Sequence, residues 1–570
     1  MIKVYFDNFE EEEKTWVANN SQDNIATVIN DLDIKSFKLF DQSLEHGYSS
    51  FSAAKVYNRE KLIMAKRDIF GSVPLFISWK KNHSCAISEN LSSLLEQQSF
   101  TINKERISLY LNNDDLDLLS KSHITFFEDI YQVPSGSVVT ITYNKLHIEF
   151  IQYKSATQKG NLLKEMCKSV INLTHDKEKV AFQVSGGLDS TSLAAIQASI
   201  KHKNVDTHYC VTKTPFKSTS ERLFQKSFTK KYKQKISSYS TNANIKNLTE
   251  EYCKIAISPP FLFNTITLFE DTLKSLKEKK INYLVSGHGG DQVLGHGFEY
   301  IQNLKKNRAY NKIFSFVSLL SKMDLLKNNF ENWTSYSVKK KFNLTLQAFV
   351  YPVNSVLKKD IIFQYIYAGG NLFYIFTSGV NLILKRWFKN VKTPVIQTSE
   401  SKRNPDIILS EKNKNRADIQ KATFSNINET FFNLAKLYDV NFLFPFLDTK
   451  VYAASCAYTL QEKFGDGRGR NHLRIELKAV LPELVRKRIG KASFDEYFVN
   501  EIESYMIQLG EIEENHLIWE FVDKKRFYIV AKLLMNKNKT YFHKKNAAHV
   551  IHRILNIKVW LDFINKLKEA

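Results

Sequence analysis

The sequence predicts an α+β front domain followed by an α/β domain that is built on a parallel sheet with added helices. Residues 1–155 contain short alternating apolar runs separated by turns, as in antiparallel strands. From residue 180 onward, strand-like and helix-like segments alternate, which is typical of parallel βαβ units. A polar segment at Ser155–Gly160 separates the two patterns, so we place the domains at residues 1–155 and 156–570.

The front domain is predicted to be rich in strands. Helical periodicity appears at Glu89–Glu96 and Lys104–Leu111. The predicted strands are Lys3–Phe6, Lys61–Lys66, Leu75–Trp79, Ser137–Thr142 and Leu146–Tyr153.

The second domain begins with a predicted amphipathic helix at Asn161–Leu173. Because parallel sheets bind ligands at the carboxyl ends of their strands, the residues that follow each strand are candidates for a site. Residues 300–430 are interpreted as mainly helical and basic, and Thr398–Arg416 within them as an exposed loop. The predicted strands are Val180–Val184, Thr207–Thr212 and Ile281–Val285, and the predicted helices are Ser192–Lys201, Glu221–Tyr232 and Thr265–Lys279.

The segment Ser185–Ser190, which reads Ser-Gly-Gly-Leu-Asp-Ser, has the composition of an anion-binding loop. Glycines let backbone N–H groups approach phosphate oxygens, and the start of the next helix adds partial positive charge. Asp189 would repel a phosphate unless a divalent cation lay between them. The run Asp189–Thr191 also predicts the N-cap of the next helix. An ordinary strand–turn–helix junction is the alternative for a bare Ser-Gly-Gly, and the longer motif disfavours it.

A second glycine-rich segment follows the predicted strand Ile281–Val285. Residues 286–297 contain five glycines together with His288, Asp291 and His296. Such glycine density after a strand indicates that the backbone approaches a ligand closely.

Composition limits the possible functions. The net charge of +22 suits anionic partners, but no nucleic-acid-binding motif is present, and the lysine-rich segments are interpreted as solvated helix surfaces. The five cysteines lie far apart, which argues against a zinc ribbon or a disulfide framework and favours a cytoplasmic location. Polar residues and glycines interrupt the apolar segment Ile361–Phe388, so we expect buried helices there and at most peripheral membrane contact.

The Ser185–Ser190 motif resembles the pyrophosphate-binding loop of the ATP pyrophosphatases, a group that includes the asparagine synthetases. In the front domain, Ala65–Phe76, Ala86–Glu89 and Phe126–Gly136 resemble the glutamine amidotransferase domain of the same enzymes. This resemblance implies an N-terminal-nucleophile sandwich whose nucleophile is a cysteine. Here the matching residue is Ile2, so the resemblance implies a degenerate domain that does not hydrolyse glutamine.

The same resemblance implies which residues bind ATP and magnesium. Val211 matches a strand position that contacts adenine, and Asp291 matches an aspartate that shares magnesium with the loop aspartate, whereas Gln292 replaces an acidic residue. The implied metal ligands are Asp189 and Asp291. The implied ATP contacts are Gln183, Ser185, Gly186, Gly187, Leu188, Asp189, Ser190, Val211, Ser286 and Gly287.

The C-terminal part continues the resemblance. Phe442–Asp448 is similar to the family signature Arg-x-Pro-Phe-Leu-Asp, although Leu443 replaces the arginine. Arg488–Phe494 is similar to the family ending Arg-x-Lys-x-x-Phe with one extra residue. The match favours Lys491 over Lys487 as the lysine that stabilises the adenylated intermediate.

His288 lies where the asparagine synthetases have a glutamate, and Gly-His-Gly-Gly-Asp at residues 287–291 resembles the lasso-peptide cyclases. Deprotonation of an amine, placement of the substrate and a structural role all remain open for this histidine.

Together these resemblances imply an ATP-dependent amide ligase that forms AMP and pyrophosphate. Without glutamine hydrolysis, the amine must come from elsewhere, which favours lasso-peptide cyclisation. In that reaction an Asp or Glu side chain of a ribosomally made precursor peptide is adenylated and joined to the N-terminal amine as a macrolactam. The implied partners are a leader peptidase and an exporter, and the implied context is antibiotic biosynthesis. The alternatives are a β-lactam-synthetase-like or ammonia-dependent asparagine-synthetase-like ligase, an inactive peptide-binding protein and a tRNA-modifying enzyme.

Overall fold

The computed structural model describes most of both domains. Three sets of residues that carried predictions lie outside the described residues: Ser155–Gly160, most of residues 300–430, including Ile361–Phe388, and Lys491. The described residues are 1–6, 15–19, 32–43, 51–96, 99–112, 117–151, 161–200, 205–216, 221–241, 244–261, 266–297, 300, 303–304, 307, 309, 407–410, 418–466, 468–488, 494–539 and 541–569.

The described strands form three sheets. They are β1 (Ile2–Tyr5), β2 (Thr15–Asn19), β3 (Phe51–Tyr57), β4 (Leu62–Arg67), β5 (Phe76–Lys80), β6 (Ser84–Ser88), β7 (Ile130–Gln132), β8 (Ser137–Ile141), β9 (Leu146–Phe150), β10 (Lys179–Gln183), β11 (Asp206–Lys213), β12 (Ile236–Ser240), β13 (Tyr283–Val285), β14 (Ile407–Ser410) and β15 (Asn441–Leu443).

The described helices cluster in the second domain. They are α1 (Ile34–Ser43), α2 (Leu91–Leu95), α3 (Lys104–Asn112), α4 (Leu162–Thr174), α5 (Leu188–Ile200), α6 (Arg222–Tyr232), α7 (Ile245–Ala256), α8 (Thr267–Glu278), α9 (Gly290–Leu294), α10 (Ala422–Tyr438), α11 (Thr449–Cys456), α12 (Leu460–Phe464), α13 (Asn471–Glu476), α14 (Glu483–Arg486), α15 (Asp495–Leu509), α16 (Lys524–Met535) and α17 (Tyr541–Glu569).

The front domain contains two sheets that share one apolar core. The four-stranded sheet has the order β1-β6-β5-β7, and the six-stranded sheet has the order β14-β9-β8-β4-β3-β2. All neighbours in these sheets are antiparallel except β14 and β9, which are parallel. Apolar side chains of both sheets, such as Val4, Ile63 and Ile77, meet in the core between them. The structure therefore confirms a mixed α/β chain with antiparallel sheets at the front.

Each strand predicted in the front domain has a counterpart in the structure, whereas β2, β3, β6 and β7 were not predicted as strands. Strand β3 lies between β4 and β2, and every one of its side chains is buried. Alternation of apolar and polar residues is a weak signal for such a strand, because neither face requires polar residues.

The prediction of an exposed loop at Thr398–Arg416 was wrong in part, because Ile407–Ser410 forms β14 on the edge of the front sheet. Its hydrogen-bonding partner, β9, lies more than 250 positions earlier in the sequence. Pairing between segments so far apart cannot be predicted from local sequence patterns.

The second domain is built on a five-stranded parallel sheet with the order β12-β11-β10-β13-β15. From β10 the chain adds β11 and β12 on one side, and it then places β13 and β15 on the other side. The strand order therefore reverses at β10, and a crevice is expected at the carboxyl ends of β10 and β13. Both glycine-rich segments follow these two strands.

The structure confirms the predicted start of α4 and corrects the predicted N-cap of α5, the helix that follows the loop at residues 185–190. Helix α4 begins as predicted, with the side chain of Asn161 accepting a hydrogen bond of 2.8 Å from the Lys164 nitrogen. Helix α5 begins at Leu188, directly after the glycines. The N-cap prediction for Asp189–Thr191 was therefore wrong, because these residues occupy the first helical turn.

The C-terminal helices complete a second large core that includes the front domain. Trp560 of α17 is fully buried, and its ring lies 5.0 Å from that of Phe126 and 6.0 Å from that of Phe127. All five cysteines are free. None of the helices that the structure describes combines the length and apolar character of a membrane span.

Replacement of Phe182 by alanine should strongly destabilise the second domain. Phe182 lies in the central strand β10 and is fully buried, so its truncation should lower the free energy of unfolding by about 3–5 kcal/mol. Urea unfolding followed by circular dichroism would measure this change. The control is Ile507→Ala, at a side chain that is 69% exposed. Equal midpoints for both variants would contradict the central position of β10.

Candidate active site

The loops after β10 and β13 touch at the carboxyl edge of the parallel sheet. A Cβ atom on Gly287 would lie 2.4 Å from the backbone nitrogen of Ser190, and one on Gly290 would lie 2.7 Å from Cγ of Asp189. Contacts this short leave no room for a side chain, so the close approach depends on glycine at both positions. The two glycine-rich segments of the sequence are thereby brought together.

The first loop, residues 185–190, is held by its own serines. Oγ of Ser185 accepts a hydrogen bond of 3.1 Å from the Gly187 nitrogen and lies 2.7 Å from Oγ of Ser190. Gly186 has φ +91°, a conformation that favours glycine. The N–H groups of Gly186, Leu188 and Asp189 have no acceptor among the described residues. These donors at the start of α5 are available to an anion.

The carbonyl groups of this loop are held by side chains from elsewhere in the chain. Nη1 of the buried Arg488 donates a 2.5 Å hydrogen bond to the Gly186 oxygen, and the guanidinium pairs with both carboxylate oxygens of Glu221. Nε2 of Gln225 donates to the Ser185 oxygen at 3.1 Å. None of these three residues was predicted from the sequence to lie at the site. Arg488 belonged to a recognised motif, whereas Glu221 and Gln225 had no distinguishing pattern.

Asp189 and Asp291 converge on one guanidinium. Nη1 of Arg470 donates to Oδ1 of Asp189, and Nη2 of the same residue donates to Oδ1 of Asp291. Arg470 is 2% exposed and has φ +50°, in the left-handed region. Nε2 of His296 lies 3.0 Å from Oδ1 of Asp291. Arg470 and His296 were not among the predicted site residues, although His296 lies in the second glycine-rich segment.

This arrangement fits a divalent cation. Mg²⁺ is commonly bound by one or two carboxylates together with substrate phosphates. Asp189 and Asp291 supply two carboxylates, and the Arg470 guanidinium here contributes the positive charge between them. Among the described residues, no group of three or more His, Cys, Asp or Glu side chains is arranged to hold a metal. Further ligands would therefore have to come from the substrate or from water.

His288 lies in an aromatic enclosure behind the second loop. Its ring centroid is 5.4 Å from that of Phe424, 4.8 Å from that of Phe431 and 5.2 Å from that of Phe444. Nε2 lies 2.6 Å from Oδ1 of Asn428, whose Nδ2 donates to the Phe70 oxygen at 2.7 Å. The amide orientation makes Nε2 of His288 the donor. Burial lowers the pKa of His288 to about 4, so the imidazole is neutral at pH 7.

The remaining predicted residues lie at strand ends or on the surface. Gln183 ends β10 beside Cys210, and the buried Val211 follows in β11. The Ser286 nitrogen donates to the Leu443 oxygen at 3.1 Å, which joins the second loop to β15. The Lys487 ammonium lies 2.9 Å from Glu483, one helical turn earlier, and its side chain is 61% exposed. Lys491 lies outside the described residues.

Acidification should destabilise the protein partly through His288. The pKa of the folded state lies below the unfolded value of 6.5, so the unfolded chain binds the proton more readily. The stability that the neutral His288 contributes to the folded state is therefore fully present above pH 6.5, and it is lost as the pH falls toward 4. Between pH 7 and pH 5 this loss should be about 2 kcal/mol.

Urea unfolding of the wild type and His288→Gln at pH 7 and pH 5 would measure this contribution. The variant should lose correspondingly less stability on acidification. His83→Gln is the matched control, because His83 is exposed. An unchanged pH dependence in His288→Gln would contradict the assignment of a neutral, enclosed imidazole.

Comparisons with known proteins identify the family of the second domain. The protein-family model for asparagine synthase matches residues 161–562, a range that contains both loops, Arg470 and Arg488. Among curated proteins, the chain is similar to the Microcin J25-processing protein McjC of Escherichia coli, with 23% identity over 267 residues. That alignment covers 45% of this chain and 49% of the relative, so it spans about half of each. Because the family match covers more than half of the sequence, the chain belongs to the asparagine synthase family, whose members are ATP-dependent amide ligases.

Proposed function

We propose that this protein is a macrolactam synthetase of the lasso-peptide cyclase kind. It would adenylate an Asp or Glu side chain of a ribosomally made precursor peptide and join that carboxyl group to the peptide's N-terminal amine. The observation that carries the ATP chemistry is the convergence of Asp189 and Asp291 beside a loop whose N–H groups remain available. The similarity to a microcin-processing protein supports a peptide-related substrate.

The first step would activate the carboxylate. A carboxylate oxygen of the peptide attacks the α-phosphorus of ATP, and the bond to pyrophosphate breaks. The loop N–H groups at Gly186 and Leu188 would bind pyrophosphate oxygens at the helix N-terminus. Asp189 and Asp291 would hold magnesium, which would offset the negative charge of the phosphates. Arg488 and Glu221 would keep the loop in position through the Gly186 carbonyl.

The second step would form the amide. The N-terminal amine attacks the acyl carbon, the carbon–oxygen bond to AMP breaks, and the amine loses a proton. An imidazole with a pKa of about 4 is a weak proton acceptor at neutral pH. We therefore assign His288 a role in placing the substrate. Lys491 is proposed to stabilise the charge that develops on the adenylate, as the family resemblance implies.

The front domain supports an amine source other than glutamine. Ile2 is 7% exposed, its strand β1 pairs with β6, and its side chain has no nucleophile. Cys85 is the one cysteine in residues 1–155 of the sequence, and burial raises the pKa of its thiol far above the usual value. Such a thiol is unreactive at neutral pH. A substrate that carries its own amine accounts for these features.

Removal of either metal-binding carboxylate should abolish catalysis. In Asp189→Asn and Asp291→Asn, pyrophosphate release with ATP, magnesium and the correct peptide should fall roughly a hundredfold or more, because a charged ligand is lost. A peptide encoded by a short neighbouring reading frame, with an Asp or Glu a few residues into its core, is the substrate to test. Mass spectrometry should show a product lighter than the linear peptide by one water.

The control for this experiment is Asp206→Asn, whose carboxylate is exposed at the start of β11, at the end of the sheet opposite to the loops. It should keep wild-type activity. Full activity in both loop variants would show that the metal assignment is wrong. Activity with free ammonia and a small carboxylate, but not with a peptide, would favour the ammonia-dependent alternative.

Glutamine should not be hydrolysed. Incubation of the wild type with glutamine, with and without ATP, should give no glutamate above the uncatalysed background, because the front domain offers no reactive thiol. Chromatographic detection of glutamate would measure this. Turnover that is lost in Cys85→Ser would show instead that the buried thiol is reactive.

A further inference from the structure

A small cavity lies between the front domain and the second domain, apart from the glycine-rich loops. Arg106 of α3 and Gln132 of β7 line it from one side, and Asn426 and Glu429 of α10 line it from the other. The cavity volume is about 40 Å³, which is room for one small ion or a few water molecules. Aromatic rings, including those of Phe126 and Phe261, form much of its wall.

The guanidinium of Arg106 faces this cavity without a hydrogen-bond partner among the described residues. Arg106 is 5% exposed, and its guanidinium carbon lies 5.3 Å from the centre of the Phe126 ring. The guanidinium donates no hydrogen bond to any residue that the structure describes, and its Nε is buried. An unpaired buried guanidinium is costly, because water no longer solvates its charge or its donors.

The charges around the cavity do not balance among the described residues. Glu429 is the nearby carboxylate, and its Oε1 accepts hydrogen bonds from Arg67, at 2.7 Å, and from Gln132. Arg67 is fully buried and uses this carboxylate as its ion-pair partner. Two guanidinium groups, those of Arg67 and Arg106, thus face one carboxylate. Burial lowers the pKa of Arg106 only to about 10, so the side chain remains charged at pH 7.

A second unsatisfied donor faces the same space. Nδ2 of Asn426 is buried and has no hydrogen-bond partner in the part of the chain that the structure describes. Water molecules could accept hydrogen bonds from Arg106 and Asn426, but they would leave the excess positive charge uncompensated. An anion supplies both the acceptor and the charge.

We infer that this cavity binds one small monovalent anion, of the size of chloride, held by Arg106 and Asn426. The bound anion would join α3 of the front domain to α10 of the second domain. Helix α10 also carries Asn428, the hydrogen-bonding partner of His288. Anion binding would therefore stabilise α10 on the side opposite to the one that contacts His288.

Two measurements on the full-length protein test this inference. Thermal unfolding is followed as chloride replaces gluconate at constant ionic strength, since gluconate is too large for the cavity. The midpoint should rise with chloride and reach a plateau, as expected for one saturable site. Crystals grown in bromide should show an anomalous peak within hydrogen-bonding distance of Arg106 and Asn426.

Variants distinguish this site from a general salt effect. Arg106→Met should abolish the chloride dependence. Lys104→Met is the control on the same helix, because Lys104 pairs with Glu520 on the surface, and it should retain the dependence. Asn426→Asp would supply the missing negative charge within the protein. It should therefore fold without chloride dependence, even if Arg106→Met fails to fold.

Equal midpoints in chloride and gluconate for the wild type would overturn the inference. Water molecules without an anomalous peak in the bromide crystals would overturn it as well. A chloride dependence that persists unchanged in Asn426→Asp would assign the effect to another site and would also count against it.

Discussion

The repulsion between two carboxylates is the constraint on which the site depends. Asp189 and Asp291 lie in the first turns of α5 and α9, which follow different strands, and the Arg470 guanidinium lies between the two carboxylates at one edge of the sheet. The parallel strand order and the glycines at 287 and 290 bring the loops into contact. Arg470, from a third part of the chain, provides the charge. The geometry is therefore that of a site built to hold positive charge beside a helix N-terminus.

Side chains from elsewhere in the chain hold the carbonyl groups of the first loop, residues 185–190, so that its backbone N–H groups stay available to a ligand. Arg488 and Gln225 hold the carbonyl groups of Gly186 and Ser185, and Glu221 orients the arginine. Because the loop is already held in position, it needs little rearrangement when an anion binds. The second loop is supported in a similar way, because Asn428 and three phenylalanines fix the ring of His288. In both loops, the supporting residues are far in sequence from the residues they hold.

This distance explains which features could be predicted from the sequence. The strand, the glycine turn and helix α5 follow one another within about twenty residues, so local periodicity and turn chemistry were sufficient to predict them. The parallel sheet followed from the alternation of elements. The roles of Arg470 and Glu221 could not be predicted, because their partners lie hundreds of residues away. The low pKa of His288 could not be predicted for the same reason, since the environment of the ring is supplied by α10 and by Phe444, which follows β15.

The burial of Trp560 against Phe126 and Phe127 shows that the front domain contributes to the packing of the last helix. The last helix uses the front domain as part of its own hydrophobic core, and β14 from the second half of the sequence extends a front sheet. The two ends of the polypeptide thus form one cooperative unit around the parallel sheet. Deleting the front domain would expose the apolar residues of α17 that pack against it, so we expect such a deletion to destabilise the rest of the chain.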